Sequence, residues 1–215
     1  MLRRTWIIAV ISLLACSVYA SVDVDEALKL EPNLDQRYAS SIATRYLTNY
    51  HYKRTRLDDD LSSQIYDSYL DLLDPNRIYF LQSDIDSFER HRHLMDDSLR
   101  HSDLMAAYDI FNVYTDRVLD RVEYSRARAK QPFDFTIDED YQYNREDESW
   151  AKDAAELDEL WRLRVKNDYL RLKLTDKEAD AIVETLTERY DNLERRITEL
   201  NSDDVFQFFM NAFAA

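Results

Sequence analysis

His91, His93 and His101 fall on one stretch of chain with a helical pattern, and His93, Asp97 and His101 are spaced four apart. Residues four apart share a helix face, so this trio has the nitrogen and oxygen donors of a metal site. Solvated histidines on a polar face give the same spacing and are the plainer reading, since a metal site also needs supporting hydrogen bonds that spacing does not display. The acidic run at residues 138–148, with Asp138, Glu139, Asp140, Glu146, Asp147 and Glu148, could hold a cation or a basic partner. It lacks the glycine and the ligand spacing of a calcium loop, and reads better as a solvated loop. Carboxylate pairs for acid and base work occur throughout so acidic a chain, and none stands in an apolar setting that singles it out. Serine and lysine are plentiful enough for a Ser/Lys dyad, but nothing presents a nucleophile or frames an oxyanion.

The sequence contains no glycine. Phosphate-cradling loops, nucleophile elbows and calcium loops all require backbone geometry or a close approach that glycine supplies, so none of them can be built here. The residues therefore assign no catalytic, metal-binding or cofactor-binding position, and no cofactor is expected. With 28 Lys and Arg against 43 Asp and Glu, the net charge is −15. Phosphate binding needs clustered basic residues, so nucleic acid is not an expected partner; an acidic field keeps the chain soluble and steers basic partners.

The elements that would position any site begin after residue 20. Arg3 and Arg4, an apolar run over residues 6–15 and the small or branched residues Ser17, Val18 and Ala20 make residues 1–20 a secretory signal peptide, cleaved after Ala20. The run is too short to span a membrane, which takes about 20 apolar residues. The same segment also fits a lipobox at Leu13-Leu14-Ala15-Cys16, in which case Cys16 would be lipidated and anchor the chain to the membrane. Without Cys16 the mature chain has no cysteine and no disulfide. Residues 21–33 form an acidic leader ending near Pro32.

Helices are expected over residues 34–50 and from Leu57 to Leu73, the second stopped by Asp74-Pro75 because a residue before proline avoids the helical region. An extended or turn segment should follow over residues 76–81. A third helix is predicted to reach about Arg100 with Ser83 as its N-cap, and a long fourth one from a Ser102 cap to Lys130, its basic C-terminal end (Arg121, Arg126, Arg128, Lys130) suiting the helix dipole. Pro132 ends it, and periodicity disappears over residues 133–150, which read as a long acidic and aromatic loop. Helical pattern returns around Leu157, Trp161 and Val165. It returns again after Thr175-Asp176-Lys177-Glu178, which reads as a capping box, through Ile182, Leu186, Tyr190, Ile197 and Leu200. Asp191 with Arg195, and Arg195 with Glu199, are spaced for helical ion pairs. A last helix should run from Ser202 into Phe213. No strand alternation is visible, so the fold class is all-α, a bundle of six or seven helices with no substantial sheet.

Three segments carry a family resemblance: Leu73-Asp74-Pro75-Asn76-Arg77-Ile78-Tyr79-Phe80-Leu81 with Ser83-Asp84-Ile85; Glu156-Leu157-Asp158-Glu159-Leu160-Trp161-Arg162-Leu163-Arg164-Val165-Lys166-Asn167-Asp168; and Asp203-Asp204-Val205-Phe206-Gln207 with Met210-Asn211-Ala212-Phe213. In order and spacing they resemble the N-terminal helical domain of bacterial tail-specific (carboxy-terminal processing) proteases, over residues 34–213. The resemblance implies a non-catalytic domain that precedes a PDZ domain and a peptidase domain with a Ser/Lys dyad, neither of which is in this sequence. It further implies a periplasmic enzyme acting on protein substrates with apolar C-terminal tails and assisted by a helical-repeat lipoprotein adaptor. The domain would frame substrate access and offer a surface to the adaptor. An independent periplasmic binding or adaptor protein is the alternative reading. The last helix adds one expectation: only Gln207 and Asn211 interrupt its apolar surface, so beyond the flank packed on Ile197 and Leu200 it should expose a flank, including Phe208 or Phe209, that the rest of the protease would cover.

Overall fold

A computed structural model describes residues 29–50 and 56–215. The expected signal peptide with Cys16, and most of the expected acidic leader, lie outside them. The described residues form eight α-helices: α1 (Leu34–Tyr50), α2 (Asp59–Leu73), α3 (Gln82–Phe88), α4 (Met95–His101), α5 (Met105–Ala129), α6 (Ala154–Lys173), α7 (Ala179–Thr198) and α8 (Ser202–Ala214). Among the described residues the one strand-like pairing is an isolated parallel bridge between Leu81 and Ala151.

α2 starts where the Asp58 side chain accepts the amide of Leu61 and ends at Asp74, ahead of Pro75. It buries Ile65, Tyr66, Tyr69, Leu70 and Leu73, a stripe of helical period. The chain then reverses through Arg77, held in the left-handed region at φ 52°. The reversal is fixed by Asp74, which is fully buried and whose carboxylate accepts the amides of Ile78 at 2.8 Å, Tyr79 at 3.0 Å and Phe80 at 3.1 Å. Burial pushes the Asp74 carboxyl up, while these three donors pull it down.

The single helix expected from Ser83 to Arg100 is instead three pieces: α3, one 3₁₀ turn (Glu89–His91) and α4. Leu81 rather than Ser83 stands at the N-cap, its amide bonded by the Asp84 carboxylate at 2.9 Å. The break is accommodated from α2. The buried Ser62 hydroxyl donates to the Arg92 carbonyl and accepts the Met95 amide, satisfying backbone groups that an unbroken helix would have paired internally. Ser102 does not cap α5: it ends α4 in the left-handed conformation at φ 56°, and Asp103 accepts the first amide of α5. The Thr175–Glu178 box is also not formed. Asp176 turns the chain at φ 57°, Thr175 bonds back to the Leu172 carbonyl of α6, and Glu178 precedes α7 without a side-chain cap. Three left-handed positions thus fall on Arg77, Ser102 and Asp176, where glycine would carry less steric cost.

Two cores result, joined by α5. The first gathers α2, α3, α4, α8 and the start of α5 around Tyr66, Tyr69, Phe80, Leu99, Tyr108, Phe111 and Phe209. The second gathers the rest of α5 with α6 and α7 around Val118, Val122, Trp161, Val165, Ile182 and Leu186. The flank of α8 expected to be exposed is covered within the domain. Val205, Phe209, Ala212 and Phe213 are buried, and Phe206, Phe208 and Met210 are partly buried against the same core. Tyr69 meets Phe209 edge-on with ring centres 5.8 Å apart, and Phe111 stacks on Phe208 at 6.0 Å. The sequence pattern showed that α8 needed partners on several sides, but not that α2 and α5 would supply them.

Candidate functional site

The three histidines do not converge. His91 sits in the 3₁₀ turn and accepts from Arg90, His93 lies 3.3 Å from the Ser63 hydroxyl, and His101 Nδ1 lies 2.9 Å from the Asp97 carbonyl. The break between α3 and α4 ends the shared face on which their spacing depended. Among the described residues no group of three or more His, Cys, Asp or Glu side chains is placed to hold a metal ion.

The acidic loop is strapped to the bundle rather than simply solvated. Glu139 receives both Arg162 and Lys166 from α6, and these cations hold its carboxyl below the usual glutamate range. Arg77 donates to the Glu148 carbonyl and lies over the Trp150 ring at 4.6 Å. The basic end of α5 is used likewise: Arg121 pairs with Asp158, Arg126 with Asp191 and Glu194, and Arg128 covers the Phe133 ring at 3.8 Å. Asp191 is thus drawn to α5, and Arg195 bonds Asn192 on its own helix.

Strapping the loop places Tyr141 and Tyr143, in edge-to-face contact at 6.4 Å, over a cleft between α6 and α7. The cleft has a volume of about 410 Å³, and the buried Trp161 and Tyr190 form its floor. α6 contributes Arg164, Asp168 and Arg171, spaced i, i+4, i+7. α7 contributes Arg189, Leu193 and Arg196 with the same spacing, so each helix turns one face to the cleft. Arg164 stacks on Trp161 at 4.8 Å. Burial raises the Asp168 carboxyl, and Arg164, Arg189 and Arg171 oppose that shift. A smaller recess of about 270 Å³ adjoins it, sharing Tyr141, Tyr143 and Arg164 and lined further by the turn Leu73, Asp74, Pro75 and Asn76 and by Ile78, Tyr79 and Tyr114. The cleft walls offer guanidinium, phenol and one carboxylate, groups that bind and orient charged ligands. Sequence reasoning missed this site because α6 and α7 were read for their apolar stripes; the paired arginines seven apart on consecutive helices were the available signal.

A second feature lies on α1. Leu34, Tyr38, Ile42 and Tyr46, spaced four apart, are 82 %, 71 %, 46 % and 67 % exposed, a continuous apolar line on a helix whose opposite side buries Gln36, Ser40 and Thr44.

The family profile described as "Tail specific protease N-terminal domain" matches residues 43–215. The chain is also similar to a curated "Tail-specific protease" from Haemophilus influenzae, 38 % identical over 181 residues. That alignment takes in 84 % of this chain and 26 % of the relative, so the chain spans about a quarter of the relative's length. Among the described residues no helix is long and apolar enough to cross a membrane.

Proposed function

The chain belongs to the family of tail-specific protease N-terminal domains, and on that premise we propose that it is the non-catalytic helical part of a periplasmic serine protease that processes or degrades proteins from their C-terminal tails. In this role it frames the access of polypeptides to a peptidase region carrying a Ser/Lys dyad, and it gives a lipoprotein adaptor a surface to dock on. The observation that carries the reading is the family match, which runs through both cores from α1 to α8. The exposed line on α1 supports docking, because contiguous apolar surface of this kind marks interaction sites on soluble domains. The basic N-terminal residues Arg3 and Arg4, followed by an apolar run, support export to the periplasm.

A domain exchange tests the role. Fused to the N-terminus of the remainder of the Haemophilus influenzae relative, as a replacement for that protein's matching region, this chain should restore cleavage of a substrate with an apolar C-terminal tail. The remainder alone should be at least about tenfold slower, the loss expected when substrate positioning is removed. The chain by itself should show no turnover. Turnover by the isolated chain that survives inhibitors of contaminating proteases would make it an enzyme in its own right. Full activity of the remainder without it would favour an independent binding protein.

A further inference from the structure

In this chain most arginines that lie between elements close on a carboxylate from elsewhere: Arg92 on Asp67, Arg117 on Asp84, Arg121 on Asp158, Arg126 on Asp191 and Glu194, and Arg162 on Glu139. Arg164, Arg171, Arg189 and Arg196 differ. All four line the cleft between α6 and α7, and among the described residues none of them forms an ion pair. Asp168 is the one carboxylate in the lining, so four cations face a single anion in a protein whose overall charge is −15. Grouping like charges without partners costs electrostatic energy, and an anionic ligand would relieve it.

Geometry narrows the ligand. Seven residues of helix advance about 10.5 Å, so each helix presents arginines farther apart than one carboxylate can span. The cleft therefore suits a chain bearing several anionic groups rather than a lone small anion. An extended peptide advances about 3.3 Å per residue and places alternate side chains on one side, so its same-side carboxylates, about 6.6 or 13 Å apart, bracket the spacing of the arginines, and the long arginine stems take up the difference. One end of the cleft shares Tyr141, Tyr143 and Arg164 with the recess, where Leu73, Pro75, Ile78 and the rings of Tyr79 and Tyr114 offer apolar surface beside Asn76 and Asp74, whose carboxylate is already taken up by three backbone amides. A long polyanion such as nucleic acid is disfavoured by the acidic remainder of the surface.

We propose that the cleft between α6 and α7 binds an acidic segment of another polypeptide, its side-chain carboxylates held by Arg164, Arg171, Arg189 and Arg196 and a neighbouring apolar residue seated in the adjoining recess. Planar guanidinium forks engage carboxylates in pairs of hydrogen bonds, and stacking on Trp161 reduces the side-chain freedom that Arg164 would lose on binding. Asp168 opposes the ligand's charge and sets a limit on affinity. The proposal rests on the polypeptide-handling role only in choosing a peptide over another polyanion.

The test uses the purified chain and a fluorescent peptide, acetyl-Leu-Leu-Ser-Glu-Ser-Glu-Ser-Glu-amide, read by anisotropy. Its blocked ends leave only side-chain carboxylates. Binding should weaken as salt rises, and by about tenfold or more when Gln replaces Glu in the peptide or when the protein carries R164Q with R189Q. R195Q, outside the cleft on α7, should change it little. D168N should tighten binding, an effect that loss of folding cannot imitate; if the arginine variants melt early, this variant and the Gln peptide still decide. Equal binding of the Glu and Gln peptides, indifference to the cleft substitutions, or weaker binding by D168N would overturn the proposal. So would an octathymidine strand that binds more tightly and is lost with the same arginines. No peptidase takes part in this assay, so its failure leaves the domain-exchange result standing, and failure of the exchange leaves the cleft measurable.

Discussion

The two ends of α5 meet different kinds of surroundings. Around its first turns a set of inward-facing polar groups is paired: the Tyr108 hydroxyl lies 2.8 Å from Gln36 Oε1 and 2.7 Å from the Ser202 carbonyl, Gln36 donates to Asp203, and the Tyr69 hydroxyl donates to the Ala107 carbonyl. These bonds tie α1, α2, α5 and α8 into a sealed unit. Around its last turns the buried polar side chains are Ser125 and Lys166, and most charge lies outside in cross-helix pairs from Arg121 and Arg126 and on the open cleft between α6 and α7. Comparable residue types thus serve as internal ties at one end and as surface chemistry at the other. What separates the two uses is burial: at the sealed end the pairs are interior, whereas at the other Arg121 and Arg126 pair nearer the surface and the cleft arginines form no ion pair among the described residues.

The comparison breaks most readily at the cores. Phe209→Ala should cost about 3–5 kcal/mol, and Trp161→Ala about as much, the latter also leaving the Ile78 carbonyl without its indole donor. Because α5 runs through both cores, each variant should unfold in urea as a single transition followed equally by far-UV circular dichroism and tryptophan fluorescence. Two separated transitions would show that the ends are independent domains. A middle-sized effect is expected at the join. Asp74→Ala removes the acceptor of three amides and should destabilise by about 3 kcal/mol, whereas Asp74→Asn keeps an acceptor and should lose less. Equal losses would mean that the turn is held by side-chain contacts instead. The smallest effect belongs to the strap. Since Arg162 and Lys166 depress the Glu139 carboxyl below its ordinary 4.5, its contribution is present above that value and is lost as pH falls through the depressed one. The protection of amides around residue 139, taken relative to the intrinsic exchange rate at each pH, should fall over that acidic range, and Glu139→Gln should remove the pH step while leaving protection in α2 and α8 unchanged.

Much of the fold was legible because local signals and tertiary demands agree. The bounds of α1, the stop of α2 at Asp74-Pro75, the aperiodic stretch before α6 and the start of α8 all follow from periodicity and from a residue that cannot continue a helix. The misses share a cause in distant partners. Ser62 stabilises a break some thirty residues downstream by bonding Arg92 and Met95, which no window around the break contains. Ser102 and Asp176 look like helix starters but serve as left-handed ends, conformations usually given to glycine. The cleft was hidden for a related reason: an arginine repeat has the same appearance on a solvated helix face as on a ligand-binding one, and only the strapped loop with Tyr141 and Tyr143 encloses it.

The contact between Tyr69 of α2 and Phe209 of α8 has a consequence for the order in which the chain can mature. The second core draws almost wholly on residues between 118 and 197, with Ile78 joining from upstream, so it can close while synthesis is still under way. The first core needs its final helix. Until Val205, Phe209 and Phe213 have emerged, α2 and the head of α5 carry their aromatic rings uncovered, and closing them joins segments far apart along the chain, a slow step in folding. For that interval the nascent domain is half built, with the arginine-lined end able to finish first and the sealed end the one with apolar surface still open to wrong contacts.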